Sequence, residues 1–157
     1  MQLFDTYGFL DDTWPLIQTN WAAYFSPVIP DGVIAGAGRE LLVAGNSTGM
    51  NVTIQTGECR VRSHRGEISE IKALEIPTAD ATYPRIDLIV ARVDYSAPNM
   101  VLAVRQGTPA QEPVAPEPVQ NAGDVWEIPL AEVTVAEGAI TIDPADVKDR
   151  RYVYQTG

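Results

Sequence analysis

The sequence is poor in the residues that carry most familiar chemistry. Its 157 residues include one cysteine, Cys59, and one histidine, His64. A lone cysteine excludes an intrachain disulfide, and the two together fall short of a Cys/His zinc set. Positive charge is also scarce, with 11 Lys and Arg against 21 Asp and Glu and a formal net charge of -10. That balance argues against a sequence-independent grip on nucleic-acid backbones or on anionic lipid. No segment approaches the roughly 18 consecutive apolar residues of a membrane span. The N-terminus lacks the basic and apolar parts of a signal peptide. Neither nucleic acid nor membrane insertion is therefore expected.

What is present is a turn-rich globular composition, 45% hydrophobic with 12 Gly and 12 Pro. The length suits one domain, residues 1–157. A single helical pattern occurs, over 13–26, where Trp14, Ile17, Trp21, Tyr24 and Phe25 fall on one stripe. Asp12 or Thr13 can cap it, Pro15 suits its first turn, and Pro27 and Pro30 stop it. An aromatic stripe of this kind docks on a sheet, and its surplus of rings also suits a subunit contact.

After Pro30-Asp31-Gly32 the pattern changes to short strands and turns, which predicts an antiparallel β-sandwich over 32–154 with the N-terminal α-helix packed against it. Strands are expected at 32–35, 41–44, 50–55, 58–63 and 68–76. Residues 86–95 form a near-continuous apolar run that reads as a central strand covered on both faces. A turn leads into 100–105, and further strands are expected at 125–135 and 139–142. Between them the loop 107–123 holds four prolines, Pro109, Pro113, Pro116 and Pro118, and is expected to be an extended surface crossover. Eight acids lie between Arg105 and Lys148 with no Lys or Arg among them, which predicts an acidic surface.

The candidates for chemistry are few. Gly36-Ala37-Gly38 lacks the third glycine and the following helix of a dinucleotide loop. No two carboxylates stand out as a glycosidase pair. Cys59 reads as a small buried residue. Arg60, Arg62 and His64 are expected to share a strand face by their period of two, with Arg65 beside them, which makes Arg60, Arg62 and Arg65 a polar dock for an acidic partner. Exposed Trp126, Tyr152 or Tyr154 would suit sugar stacking. No residue is assigned a catalytic, cofactor-binding or metal-ligating role, and the chain is expected not to be an enzyme.

Several pieces, in order, carry a resemblance. They are Trp21-Ala22-Ala23-Tyr24-Phe25, Asp31-Gly32-Val33, and a Met50-Asn51-Val52-Thr53-Ile54 strand closing on Gly57. Tyr83-Pro84-Arg85-Ile86-Asp87-Leu88-Ile89-Val90 is the most specific. Arg105-Gln106-Gly107-Thr108-Pro109-Ala110, Ile128-Pro129-Leu130-Ala131-Glu132-Val133 and Asp149-Arg150 complete the set. In this order the chain resembles the N-terminal, or shoulder, domain of tailed-bacteriophage receptor-binding and baseplate proteins. It departs from their pattern at 58–65, which is basic and has no aromatic residue.

The resemblance implies a structural virion protein of the tail tip or baseplate, made in the host cytoplasm. It would be a homotrimer that anchors a receptor-binding or fibre module. The implied partners are other copies, neighbouring tail proteins and, through a separate module, a host cell-surface glycan. The helix aromatics would serve subunit or baseplate packing. A carbohydrate-binding sandwich that touches the host glycan directly is the alternative.

Overall fold

The structure is a computed structural model and describes residues 27–97 and 99–156. The helix expected at 13–26, with Trp14, Ile17, Trp21, Tyr24 and Phe25, lies outside the described residues. Within them the chain is mainly β, with eleven strands in three sheets. The first sheet has the order β11-β1-β4-β5, formed by β1 (Gly32–Ile34), β4 (Gly57–Val61), β5 (His64–Ile68) and β11 (Val153–Tyr154). The second has the order β10-β9-β7-β8, formed by β7 (Arg85–Asp94), β8 (Asn99–Arg105), β9 (Val125–Val135) and β10 (Val147–Asp149). The third is β2 (Val43–Gly45), β3 (Asn51–Ile54) and β6 (Lys72–Glu75), in the order β2-β3-β6. All pairings are antiparallel except β1 with β11.

All three sheets contribute to one core. Val33, Cys59 and Val61 enter from the first, Ile89, Ala91, Ile128 and Val133 from the second, and Val43, Val52 and Ile54 from the third. Fully burying each such aliphatic side chain is worth about 1.5–3 kcal/mol. The apolar run of β7 sits between β8 and β9, and Leu88, Ile89, Val90 and Ala91 are buried in succession, so both faces are covered.

Pro129 lies inside β9, where a proline normally removes a ladder bond. Here Ile89 faces Ala131 while Val90 faces Pro129, so Leu130 is the extra residue of a β-bulge that accommodates it.

Three expected strands differ from those found. The pattern predicts one strand over 68–76, but β5 ends at Ile68 and β6 begins at Lys72 in another sheet. Residues 139–142 keep the alternation, with Ile140 exposed and Ile142 buried, yet form no ladder. The place beside β9 is taken by β10, and Ile142 instead exchanges backbone bonds with the 47–49 turn. Residues 58–63 are not one strand either. Arg62 and Ser63 have φ of 47° and 66° and form the two-residue turn between β4 and β5.

Two buried ionic clusters fix the proline-rich loop. Arg85 and Asp87 share the inward face of β7, and Arg85 Nε donates to Asp87 Oδ1 at 2.9 Å. Arg85 also donates to the carbonyls of Pro77 and Thr78, while Asp87 Oδ1 accepts the Gly107 amide at 2.8 Å. A Cβ at Gly107 would lie 2.0 Å from the Ile86 carbonyl oxygen, so only glycine fits this approach. At the other end of the loop, buried Glu127 accepts from Arg92 Nε at 2.7 Å and from the Val119 amide at 2.7 Å. Arg105 Nη1 stands 3.6 Å from the same carboxylate. The loop thus runs from the β8 side of the sheet to the outer edge of β9 and is anchored at both ends by a buried carboxylate.

Candidate functional site

The β4–β5 turn, the start of β1 and the start of β9 meet at one end of the molecule. Asp31, just before β1, accepts the Arg62 amide on Oδ1 at 2.7 Å, which holds the turn in its left-handed conformation. The Arg62 guanidinium lies over the Trp126 ring, 4.5 Å from its centroid. His64 meets the Tyr95 ring edge-on at 5.5 Å, and its Nδ1 lies 2.9 Å from the Arg62 carbonyl oxygen.

Burial pushes the Asp31 carboxyl up from its ordinary value, against the opposing pull of the Arg62 amide, Trp126 and the Arg62 charge. The Trp126 indole N–H is buried beside it with no partner at hydrogen-bond geometry. Tyr95 Oη, Tyr154 Oη and Arg60 Nε are likewise buried without a partner. Burial raises the Tyr154 hydroxyl as well, while nearby Arg60 draws it down.

On the outward face of the first sheet, Gly32, Arg60 and Arg65 stand in one row across β1, β4 and β5. A Cβ at Gly32 (φ 149°) would lie 2.6 Å from the Tyr152 carbonyl oxygen and 2.8 Å from the Tyr152 ring. The missing side chain thus makes room for the stacked Tyr152–Tyr154 pair, whose centroids are 6.3 Å apart. Arg60 directly opposes Arg65, a like-charge pair. Glu58 offsets it by taking Arg65 Nε at 2.7 Å and Nη2 at 2.7 Å.

The expected dock is therefore divided. Arg60 and Arg65 share a strand face, but Arg62 is a turn residue at the sheet end, so the common face predicted for Arg60, Arg62 and His64 is not formed. Of the stacking candidates, Trp126 is covered on one face by Arg62, whereas Tyr152 is 62% exposed beside Tyr154. Of the eight acids between Arg105 and Lys148, Glu112, Glu117, Asp124, Glu137 and Asp143 are exposed, while two are neutralised. Glu127 is buried against Arg92 and Arg105, and Glu132 binds Lys148 and Arg150.

Asp31 was legible in the sequence only as a turn residue, although it joins Arg62, Trp126 and Tyr154. Its signal was weak, since an Asp before Gly marks turns in general. Cys59 lies apart, in the core, and burial pushes its thiol up to about 12, which keeps it protonated at neutral pH.

Among the described residues there is no group of three or more His, Cys, Asp or Glu placed to hold a metal ion. What this end of the molecule offers is recognition: the exposed Tyr152 ring beside Tyr154, with arginines on two sides. Comparison of the chain with family models, with curated proteins and with solved structures finds no match.

Proposed function

We propose that this chain is a structural virion protein of a phage tail tip or baseplate, an oligomeric connector that anchors a receptor-binding or fibre module and catalyses nothing. In this reading the sheets make a β-sandwich, the 13–26 helix packs against it, and three copies assemble through Trp14, Ile17, Trp21, Tyr24 and Phe25. The Arg60, Arg65 and Tyr152 face meets an acidic neighbour in the tail.

The observation that carries the reading is the convergence of the pieces on which the resemblance rests. Tyr83-Pro84-Arg85-Ile86-Asp87 and Arg105-Gln106-Gly107-Thr108-Pro109-Ala110 are joined by the Asp87–Gly107 bond and by Ala110 donating to the Pro84 carbonyl. Pro129-Leu130 forms the bulge of β9, and Arg150 binds Glu132 and the Leu130 carbonyl beside it. These described pieces do architectural work, as a connector requires.

Trp21→Ala is expected to reduce the solution mass threefold while the circular dichroism stays largely β. A wild-type mass that is not a multiple of three chains, or a Trp21→Ala mass equal to wild type, would overturn the threefold assembly. Exposed Tyr152 favours, as the second reading, direct contact with a host glycan. Saturable binding of host cell-wall polysaccharide that Tyr152→Ala abolishes would establish that reading in place of the connector.

A further inference from the structure

The six outer strands of the three sheets are guarded very unequally. β2 and β11 have three and two residues, β10 has three and carries Lys148, and β6 carries Lys72 and Glu75. β5 is charged, with His64, Arg65 and Glu67. Short length and charge are the usual protections of a sheet edge.

β8 has neither. It runs for seven residues, and Met100-Val101-Leu102-Ala103-Val104 is apolar throughout, with no proline, no lysine and no bulge against β7. Among the described residues its other side has no strand; β6 comes near it but pairs only with β3. Val101 is 46% exposed. A small cavity of about 100 Å³ opens between this edge and β5, lined by Cys59, Gly66, Ile68, Met100, Val101 and Leu102. Both unpaired edges therefore border one opening.

We propose that β8 is an interface strand and that its occupant is β8 of a second copy of this chain, paired antiparallel about Leu102. The composition of the edges selects this partner. Of the outer strands described, only β8 matches β8 in length and apolar character. In the antiparallel register about Leu102, Met100 meets Val104, Val101 meets Ala103, and Asn99 meets Arg105, so no like charges oppose. β5 is self-complementary in the same sense. Pairing about Gly66 sets Arg65 against Glu67 of the second copy in both directions. The contact joins two four-stranded sheets into one continuous sheet.

This pairing is twofold and does not depend on the threefold assembly proposed above. The first test is the mass of the full chain by light scattering across a dilution series, for wild type and Val101→Lys. Lysine at an exposed edge position disfavours strand addition without entering the core. Twofold pairing gives a wild-type mass of two chains, or of six where the threefold assembly also holds. Val101→Lys then halves it with unchanged circular dichroism.

A wild-type mass of one or three chains overturns the pairing, the latter while leaving the connector reading intact. An unchanged Val101→Lys mass overturns it too. Should Val101→Lys not fold, hydrogen exchange on wild type decides. Slow exchange of the β8 amides turned away from β7 supports the pairing, and fast exchange overturns it.

Discussion

Two sets of charged residues in this molecule are built in opposite ways. Asp87 and Glu127 are buried completely, and each meets an arginine and a backbone amide. Asp31 is only partly buried, accepts one amide bond, and sits near polar atoms of Trp126 and Tyr154 that lack partners or nearly so. A buried charge persists only when its partners repay the loss of water. Asp87 and Glu127 meet that condition and act as clamps on the loop 107–123. The Asp31 cluster does not: burial raises its carboxyl, and the Trp126 and Tyr154 polar atoms near it are buried without a full set of partners.

The comparison is broken most severely at Arg85. Arg85→Met removes the partner of Asp87 and leaves its carboxylate buried with the Gly107 amide alone. The expected loss is about 3–5 kcal/mol in chemical denaturation. A loss below about 1 kcal/mol, the scale of exposed ion pairs, would mean that the cluster is not a clamp.

Glu127→Gln is milder, because Arg92 and Arg105 are partly exposed and can turn to water. About 2 kcal/mol should be lost, as for hydrogen bonds to a charged group. Limited proteolysis within 107–123 should become faster, since Val119 is then held less firmly.

The smallest effect is diagnostic because it separates a desolvated carboxylate from an arginine-held one by sign. The Asp31 carboxyl is raised above 3.8, so the folded chain takes up its proton before the unfolded chain as the pH falls. Its contribution to stability is complete below 3.8 and is lost as the pH rises through the folded value. Asp149 is the reverse. Hydrogen bonds from Arg151 hold it below 3.8, so its contribution is present above that value and is lost as the pH falls through the folded one. Unfolding of Asp31→Asn and Asp149→Asn against pH should therefore give difference curves of opposite slope, each under about 1 kcal/mol in span for such partly exposed groups. Equal slopes would mean that burial does not set Asp31 apart from a carboxylate held by an arginine.

Much of the β framework was legible in local pattern. The apolar run of β7, the alternation of β3 and the four prolines of the loop 107–123 each report a local preference. The pairing of Arg85 with Asp87 follows from their i, i+2 spacing on a strand. The β4–β5 hairpin was hidden, because Arg62-Ser63 contains none of the Asn, Asp or Gly that usually adopt this turn. Its conformation is held by Asp31, 31 residues away in the chain. Glu127 was hidden for the same reason, since its partner Arg92 is 35 residues away. Of the two arginines that follow it, Asp149 binds Arg151, while Arg150 turns to Glu132. The acids that the fold brings beside each arginine decide between them, and Glu132 arrives from 18 residues away.

By itself, then, the sequence determined the strand-rich class, the central strand, the extended proline loop and the exclusion of disulfide and Cys/His zinc chemistry, because composition and period are properties of adjacent residues. Only the tertiary structure decided that the described strands form three sheets, that β5 and β6 part company, and that the acids of 105–148 are divided between a clamp and a surface. Those outcomes depend on which distant groups arrive together, and a buried charge can stay in the fold only where its partner also arrives.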